Sequence, residues 1–199
     1  ILKTLLNVGC GYTNKSDLKG FDNDDWTEIR LDIDMSVKPD LVGTLIDMKL
    51  VKTASVDAIY SAYTIDHIYP HEVPIALGEF YRVLKEDGIA VIRCPDIQKI
   101  CEVVALDKLL EPLYESPAGS LYPIDIMFGN RNEIASGNEY MAKKGGFTYS
   151  VLDAAFSQAG FEARYGGRIP LNGGELALVA FKQKKPDEEI KNIATPFFF

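Results

Sequence analysis

The sequence predicts an α/β fold in which helices cover a mostly parallel sheet, and three observations support this prediction. The short apolar run that begins at Leu5 ends in a Gly-x-Gly turn, Gly9–Gly11. A second apolar run reaches Asp32, which lies 21 residues beyond Gly11. The uninterrupted apolar run Ile89–Cys94 is typical of a strand that is buried on both faces, as the strands of parallel sheets are.

Composition and charge limit the class of protein. The 199 residues are 47% hydrophobic and 25% charged, which is enough for one domain, residues 1–199, with a sizeable core. The net charge of −8 and the absence of lysine or arginine runs argue against nucleic acid or an anionic membrane surface as a partner. No stretch approaches the ~18 consecutive apolar residues of a membrane span. We therefore expect a single domain that does not enter a membrane.

The three cysteines, Cys10, Cys94 and Cys101, are odd in number and lack the spacing of a metal site. Two of them fall in apolar strand runs, so we expect them to be buried and reduced. This pattern indicates a reducing compartment and predicts a cytoplasmic location. The sequence shows no cluster of residues that would predict a metal.

Hydrophobic periodicity predicts the remaining elements. Apolar residues at helical spacing over residues 73–84 predict the clearest helix, and a second helical stretch is expected over residues 97–113. A third helix, residues 148–160, is expected to end with Phe161 folded back on Phe156. The predicted strands after the first are Trp26–Ile33, Leu41–Ile46, Val56–Ser61, Ile89–Cys94, Glu162–Arg168 and Leu176–Phe181.

The glycine turn and Asp32 together predict a nucleoside site. Glycine lets the main chain approach a ligand closely, and a carboxylate about 20 residues further on is placed to accept hydrogen bonds from ribose hydroxyls. A shift of one residue in the strand would give this role to Asp34. No apolar stripe of helical period follows Gly11 before Trp26, so no helix N-terminus is expected to bind a phosphate. S-adenosylmethionine contains adenosine without phosphate, and the pattern therefore favours a methyl donor over NAD.

Two later strand ends provide further candidate residues. Asp47 and Met48 follow the third strand, where Asp47 would accept from an adenine amine while Met48 packs on the ring. The alternative is that Asp47 caps the next turn. The fourth strand ends at Ser61 and is followed by Tyr63 and His67, and the donor methyl and its acceptor are expected to meet there.

Four segments together resemble the class I S-adenosylmethionine-dependent methyltransferases, specifically the methyltransferase-11-like group. They are residues 6–11, 31–34, 56–67 and 79–88, within a resemblance that covers about residues 4–96. The resemblance implies a Rossmann-like methyltransferase fold with a mostly parallel seven-stranded sheet, an antiparallel last strand and helices on both faces. It also implies S-adenosylmethionine as the cofactor and methyl transfer as the activity. The implied cofactor-binding residues are Asn7, Gly9, Cys10, Gly11, Asp32, Asp47, Met48, Ser61 and Tyr63.

The segment after the fifth strand is predicted to be an insertion, about residues 98–147, that covers the acceptor pocket as a lid. Between residues 114 and 147 the periodicity is lost, and compact domains usually keep such long irregular segments for function. The alternative for each polar residue here is a surface position without function. The polar residues that the insertion could offer to a small-molecule acceptor are Tyr122, Asp125, Arg131, Tyr140 and Lys143.

Methyl transfer from a sulfonium depends mainly on positioning, which can supply roughly 7–11 kcal/mol. For a hydroxyl acceptor, His67 is the best-placed general base. The alternative is a structural histidine whose ring bonds the backbone. Two rival functions stay open, namely a nucleoside-binding module without catalysis and an NAD-dependent oxidoreductase.

Residues 184–199 begin with charged residues and end in Pro-Phe-Phe-Phe. Three exposed phenylalanines would form a sizeable apolar patch, so we expect them to be covered. A partner subunit would cover them, so we favour a homodimer to which this segment contributes. The alternative is that this segment docks on its own domain.

Overall fold

The computed structural model describes residues 2–116, 119–169 and 174–198. Its strands are β1 (Lys3–Val8), β2 (Trp26–Asp32), β3 (Leu41–Val42), β4 (Val56–Ala62), β5 (Leu84–Pro95), β6 (Tyr114–Ser116), β7 (Gly119–Leu121), β8 (Ala163–Ile169) and β9 (Glu175–Phe181). Seven of them form one sheet in the order β3-β2-β1-β4-β5-β9-β8, and β6 pairs with β7 in a separate hairpin. Strands β1 to β5 pair in parallel, whereas β9 is antiparallel to both of its neighbours. The predicted mostly parallel sheet with an antiparallel last strand is confirmed.

The helices in the described residues are α1 (Val73–Val83), α2 (Ile97–Val104), α3 (Pro123–Phe128), α4 (Arg131–Ala135), α5 (Tyr149–Gln158) and α6 (Asp187–Ala194). Short 3-10 turns lie at Lys15–Asp17, Met35–Val37, Ile65–His67, Glu139–Met141 and Thr195–Phe197. Within the described ranges, no helix is long and apolar enough to cross a membrane.

Helices α1 and α5 cover one face of the sheet, as their periodicity predicts. Leu77 and Phe80 of α1 and Phe156 of α5 are fully buried in one cluster with β1, β4 and β5. At the end of α5 the backbone N–H of Phe161 donates to the carbonyl of Phe156 (3.2 Å), and their ring centroids lie 5.2 Å apart. The expected fold-back of Phe161 on Phe156 is confirmed.

The opposite face of the sheet is covered by α6 and the residues that follow it. Phe197 packs on Phe21 with ring centroids 4.9 Å apart, and Phe198 contacts Tyr165 at 5.7 Å. Because both phenylalanines are buried by their own chain, this segment docks on its own domain, and the reason for expecting the homodimer is removed. The third phenylalanine, Phe199, lies outside the described residues.

Three sequence predictions about elements need correction. The third strand has only two residues, because the chain turns at 43–48 instead of continuing to Ile46. The helical stretch predicted over 97–113 ends at Val104, after which the chain turns and Leu106 and Leu110 are exposed. The region expected to be irregular contains the β6–β7 hairpin, α3 and α4, which are too short to give a periodic pattern.

Candidate functional site

The glycine turn lies at the carboxyl end of β1, directly beside the end of β2. Gly9 and Gly11 have φ angles of +68° and +51°, a region that residues other than glycine rarely adopt. The N–H groups of Gly9 and Cys10 both donate to the carbonyl of Leu31, at 2.8 and 3.2 Å. The N–H of Gly11 donates to Oδ2 of Asp32 at 2.8 Å. The turn and the acid, which the sequence separates by 21 residues, therefore meet at one edge of the sheet.

Of the two candidate acids, Asp32 is the one that faces the glycine turn. Asp32 is 9% exposed, and its Oδ1 also accepts a hydrogen bond from the N–H of Asp34 (2.9 Å). The carboxylate of Asp34 instead accepts from the N–H of Ser36 (2.8 Å), where it caps a 3-10 turn. A carboxylate oxygen can accept more than one hydrogen bond, so both oxygens of Asp32 keep capacity for a further donor.

The start of the glycine turn is held by polar contacts of Asn7, the residue near the end of β1. Asn7 is 2% exposed and its Nδ2 donates to Oε1 of Glu28 at 3.0 Å. The other oxygen of Glu28 accepts from the N–H of Lys15 at 2.9 Å. The Cys10 thiol is buried, and burial raises its pKa to about 11, so it stays protonated near neutral pH. Asn7 thus links the end of β1 to Glu28 on β2, and Glu28 in turn bonds the chain after the glycine turn.

This edge of the sheet has open space and polar groups that lack hydrogen-bond partners among the described residues. A Cβ added at Gly11 would meet no atom within 4 Å, so space is open beside this residue. The hydroxyl oxygens of Ser61, at the end of β4, and Thr44, after β3, are buried without a hydrogen-bond partner among the described residues. Unpaired buried hydroxyls are rare because each loses its bonds to water. Asp32, Thr44 and Ser61 therefore provide unused hydrogen-bonding capacity along one edge of the sheet.

Asp47 and Met48 lie after β3, as predicted, but they face different surroundings. Asp47 forms an exposed ion pair with Lys49 (2.9 Å). Met48 is 1% exposed and packs in the core, while its N–H donates to Glu79 (2.8 Å). Its side chain therefore has little surface to offer a ring. Thr44 was missed by the sequence reasoning, and its only sequence signal is a polar residue directly after a strand.

A second polar group lies where β4 and β5 end and β9 begins. Tyr63 follows β4 with φ +53°, and its hydroxyl donates to Oε1 of Glu175 at 2.5 Å. Glu175 is 2% exposed and accepts two hydrogen bonds from the Arg93 guanidinium, at 2.9 and 2.6 Å. Burial, and then the Glu175 carboxylate, raise the pKa of Tyr63, so its hydroxyl stays neutral. Sequence reasoning found Tyr63 but missed Glu175 and Arg93.

The segment after β4 is also where the insertion is attached. Nδ1 of His67 lies 3.0 Å from the carbonyl oxygen of Ala142, and Lys143 forms a nearly buried ion pair with Asp66. The N–H groups of Lys144 and Gly145 donate to the backbone carbonyl of Asp66 at 3.0 and 3.1 Å. Burial lowers the pKa of His67, while Asp66 acts in the opposite direction. The contact with Ala142 favours the structural interpretation of His67.

The remaining candidate residues of the insertion contact one another. Arg131 pairs with Asp125 at 2.6 Å and lies over the ring of Tyr122, 5.2 Å from its centroid. Tyr140 is 54% exposed. Of the predicted acceptor-binding residues, the structure therefore brings Lys143 to the segment after β4 and keeps Arg131 and Tyr122 within the insertion.

Comparison with known proteins agrees with this arrangement. Residues 6–92 match a family model described as "Methyltransferase domain". Among curated proteins, no sequence matches the chain.

Solved structures with the same fold cover nearly the whole chain at low identity. The chain is similar to 1,6-didemethyltoxoflavin-N1-methyltransferase from Burkholderia thailandensis, solved with S-adenosylhomocysteine bound (TM-score 0.59, 15% identity, 92% of this chain and 72% of that one). It is also similar to a SAM-dependent methyltransferase from Thermotoga maritima (0.59, 14%, 92% and 84%). A third is a SAM-dependent methyltransferase from Methanosarcina mazei (0.57, 12%, 92% and 94%). Residues 6–92 thus match the methyltransferase-domain family, and the chain has the fold of solved S-adenosylmethionine-dependent methyltransferases.

Proposed function

We propose that this protein transfers a methyl group from S-adenosylmethionine to a small-molecule acceptor. The observation that carries the proposal is the hydrogen bond from the N–H of Gly11 to Asp32 at 2.8 Å. It brings the glycine turn and the acid together at the carboxyl edge of the sheet, where α/β folds bind nucleosides. The structural relative from Burkholderia thailandensis, which was solved with S-adenosylhomocysteine, supports the same ligand class.

On the donor side, each residue has a distinct task. Asp32 accepts hydrogen bonds from the ribose hydroxyls, and Thr44 and Ser61 supply the unpaired hydroxyls described above. Gly11 leaves room for the nucleoside because it has no side chain. S-adenosylmethionine, when bound, supplies a methyl group that its positively charged sulfur has already activated for transfer.

On the acceptor side, we propose that the segment after β4 and the insertion form the pocket. Tyr63 lies at this edge with its hydroxyl fixed on Glu175. His67 is neutral near pH 7 because its pKa is lowered by burial, so it can accept a proton from a hydroxyl acceptor. The alternative role of His67 is structural, because its Nδ1 contacts the carbonyl oxygen of Ala142 in the insertion. The work of the pocket is to hold the acceptor in line with the donor and to exclude water.

The structure also bears on the two rival functions. The chain between β1 and β2 contains only the 3-10 turn Lys15–Asp17, so no α-helix N-terminus faces the glycine turn to bind the pyrophosphate of NAD. The same short connection is the reason to keep a non-catalytic nucleoside-binding module as the second candidate. Turnover of S-adenosylmethionine to S-adenosylhomocysteine with a panel of amines, phenols and thiols distinguishes that candidate from an enzyme.

We also propose that the protein works in a reducing, cytoplasmic setting. Cys10, Cys94 and Cys101 are all free thiols, and the first two are buried. Disulfides are rare where glutathione and thioredoxin keep thiols reduced. Localisation of the tagged protein in cells tests this proposal.

Calorimetric titration with S-adenosylhomocysteine and with NAD tests the proposed ligand. The wild-type chain should bind S-adenosylhomocysteine and not NAD. Asp32→Asn removes the charge that receives the ribose hydroxyls, and bonds to charged groups contribute about 1.5–3 kcal/mol each, so affinity should fall at least about tenfold. Asp34→Asn is the matched control because asparagine caps a turn as well as aspartate does. Equal affinities for the wild type and the Asp32 variant would contradict the assignment.

A further inference from the structure

Arg30 makes an unusual set of contacts beside the glycine turn. It lies on β2, two residues before Asp32, and its guanidinium donates to four backbone carbonyls. In order along the chain these are the carbonyls of Gly11 (2.6 Å), Thr13 (3.1 Å), Val37 (3.4 Å) and Lys38 (3.0 Å). One side chain therefore joins two loops, residues 9–14 after β1 and residues 33–38 after β2.

These two loops flank Asp32 and have little regular structure of their own. In the first loop, Thr13 bonds back to the carbonyl of Cys10 through its N–H (3.0 Å) and its hydroxyl (2.7 Å). The second loop contains one 3-10 turn and ends at Lys38, which has a φ of +53°. No α-helix follows the glycine turn to hold it in place, since only the 3-10 turn Lys15–Asp17 precedes β2.

Gly11 shows how the two sides of the turn are fixed. Its N–H donates to Asp32 at 2.8 Å, and its carbonyl accepts from Arg30 at 2.6 Å. The peptide groups on both sides of this residue are therefore tied to β2. Each of these two bonds has one charged partner, the Asp32 carboxylate or the Arg30 guanidinium, and such bonds are stronger than neutral ones.

We propose that Arg30 is a positioning residue for the cofactor: its guanidinium holds the glycine turn and the loop after β2 at the separation that receives the nucleoside. This inference rests on the proposed function. Arginine suits the task because its planar group carries five N–H donors that point in fixed directions, whereas a lysine ammonium has three donors at a single point. An ammonium cannot reach four carbonyls on two loops, so lysine should not replace Arg30.

The test is titration of S-adenosylhomocysteine into Arg30→Lys and Arg30→Met, with thermal unfolding of each variant. Arg164→Met is the matched control, because Arg164 also bonds a backbone carbonyl, that of Phe161 (2.7 Å), and pairs with Asp153 (2.8 Å). We expect both Arg30 variants to bind at least about tenfold more weakly, and the control to bind as the wild type does even where its melting temperature falls. Hydrogen exchange at the Gly11 and Thr13 amides should be faster in the Arg30 variants alone.

The outcomes separate this inference from the function on which it rests. Wild-type affinity in Arg30→Lys would overturn the positioning role while leaving the proposed function intact. Equal weakening in Arg164→Met would also overturn it, because the effect would then follow general destabilisation. Should Arg30→Met not fold, Arg30→Lys decides the question. A wild-type chain that does not bind S-adenosylhomocysteine would instead contradict the proposed function.

Discussion

Gly9 and Gly11 share a positive φ angle but differ in their surroundings. A Cβ on Gly9 would lie 2.3 Å from the side chain of Thr64, whereas a Cβ on Gly11 would meet nothing within 4 Å. Left-handed backbone alone costs a residue other than glycine about 1–2 kcal/mol, and overpacking adds about 1–3 kcal/mol. The two residues of one motif therefore have different tasks, since Gly9 permits packing and Gly11 leaves space.

Alanine at the two positions should separate these tasks. Gly9→Ala should lower the free energy of unfolding by about 3 kcal/mol, because strain and overlap with Thr64 add. Gly11→Ala should lower it by only about 1–2 kcal/mol, yet weaken S-adenosylhomocysteine binding because its methyl group enters the open space. Urea denaturation and calorimetric titration measure the two effects. Equal losses of stability in both variants would show that Thr64 does not restrict Gly9.

The stability of the protein should depend on His67 at mildly acidic pH. Burial lowers the pKa of His67 in the folded state, Asp66 raises it and Lys143 lowers it. The unfolded chain then binds the proton more readily, so stability is complete above the unfolded pKa of about 6.5 and declines as the pH falls below it. His67→Asn, which keeps a donor for Ala142, should flatten this decline between about pH 7 and about pH 5. His71→Asn, at the exposed ring stacked on Tyr69, should leave the wild-type decline unchanged when urea midpoints are compared.

At this scale, sequence spacing predicts the donor side of the site better than the acceptor side. Asp32 is predicted because a glycine turn and the end of the next strand are close along the chain. Glu175 lies 112 residues from Tyr63, and the two meet only because β9 inserts beside β5. The pairing of β9 with β5 joins distant parts of the chain, and no local sequence pattern around Glu175 predicts it.

Among the elements, the insertion contacts the segment after β4 through a nearly buried ion pair and its neighbours. The side chains of Lys143 and Asp66 are 9% and 3% exposed, and Oδ1 of Asp66 has no hydrogen-bond partner among the described residues. Removing one member of a buried pair leaves an uncompensated charge, which costs about 3–5 kcal/mol. The insertion is thus fastened at the point where the acceptor is proposed to bind.

Lys143→Ala should therefore destabilise the protein far more than Lys144→Ala does. We expect a loss of about 3 kcal/mol for Lys143→Ala, and of at most about 1 kcal/mol for Lys144→Ala, whose ammonium only lies over the exposed ring of Tyr69. Hydrogen exchange should become faster in residues 139–145 in the first variant alone. Similar losses in the two variants would mean that the ion pair does not fasten the insertion.

Long helices can be predicted from the sequence more easily than short ones. Helices α1 and α5, with 11 and 10 residues, complete enough turns for their apolar stripes to be visible. Helices α3 and α4 have six and five residues, which is less than two turns. The signals that mark them are local, namely Pro123 in the first turn of α3 and the side chain of Asn130, which caps α4.

At the scale of the whole molecule, the last described residues complete the sheet's second face. Ile190, Ala194, Phe197 and Phe198 join a buried cluster with Leu5, Leu18 and Phe21. The sequence predicts that the phenylalanines are covered, but it does not show by what. Helix α6 is polar on most of its surface, and its buried residues Ile190 and Ala194 pack in this cluster.

Phe197→Ala tests this cover. Phe197 is 9% exposed and lies against Phe21 and Gly20. Truncating a buried phenylalanine costs about 3–5 kcal/mol, and we expect about 3 kcal/mol here. Phe128→Ala is the matched control, because Phe128 is 60% exposed and its loss should change stability by less than about 1 kcal/mol. A Phe197 variant as stable as the control would show that the cover contributes little.

The position of this cover in the chain also has a consequence for synthesis. Leu5, Leu18 and Phe21 leave the ribosome before α6 and the phenylalanines after it, which follow about 170 residues later. Domains fold as units, and one face of this sheet lacks part of its cover until residues 187–198 are available. We therefore expect nascent chains halted before residue 187 to stay sensitive to protease and to bind chaperones, so that this domain folds only after translation has passed α6.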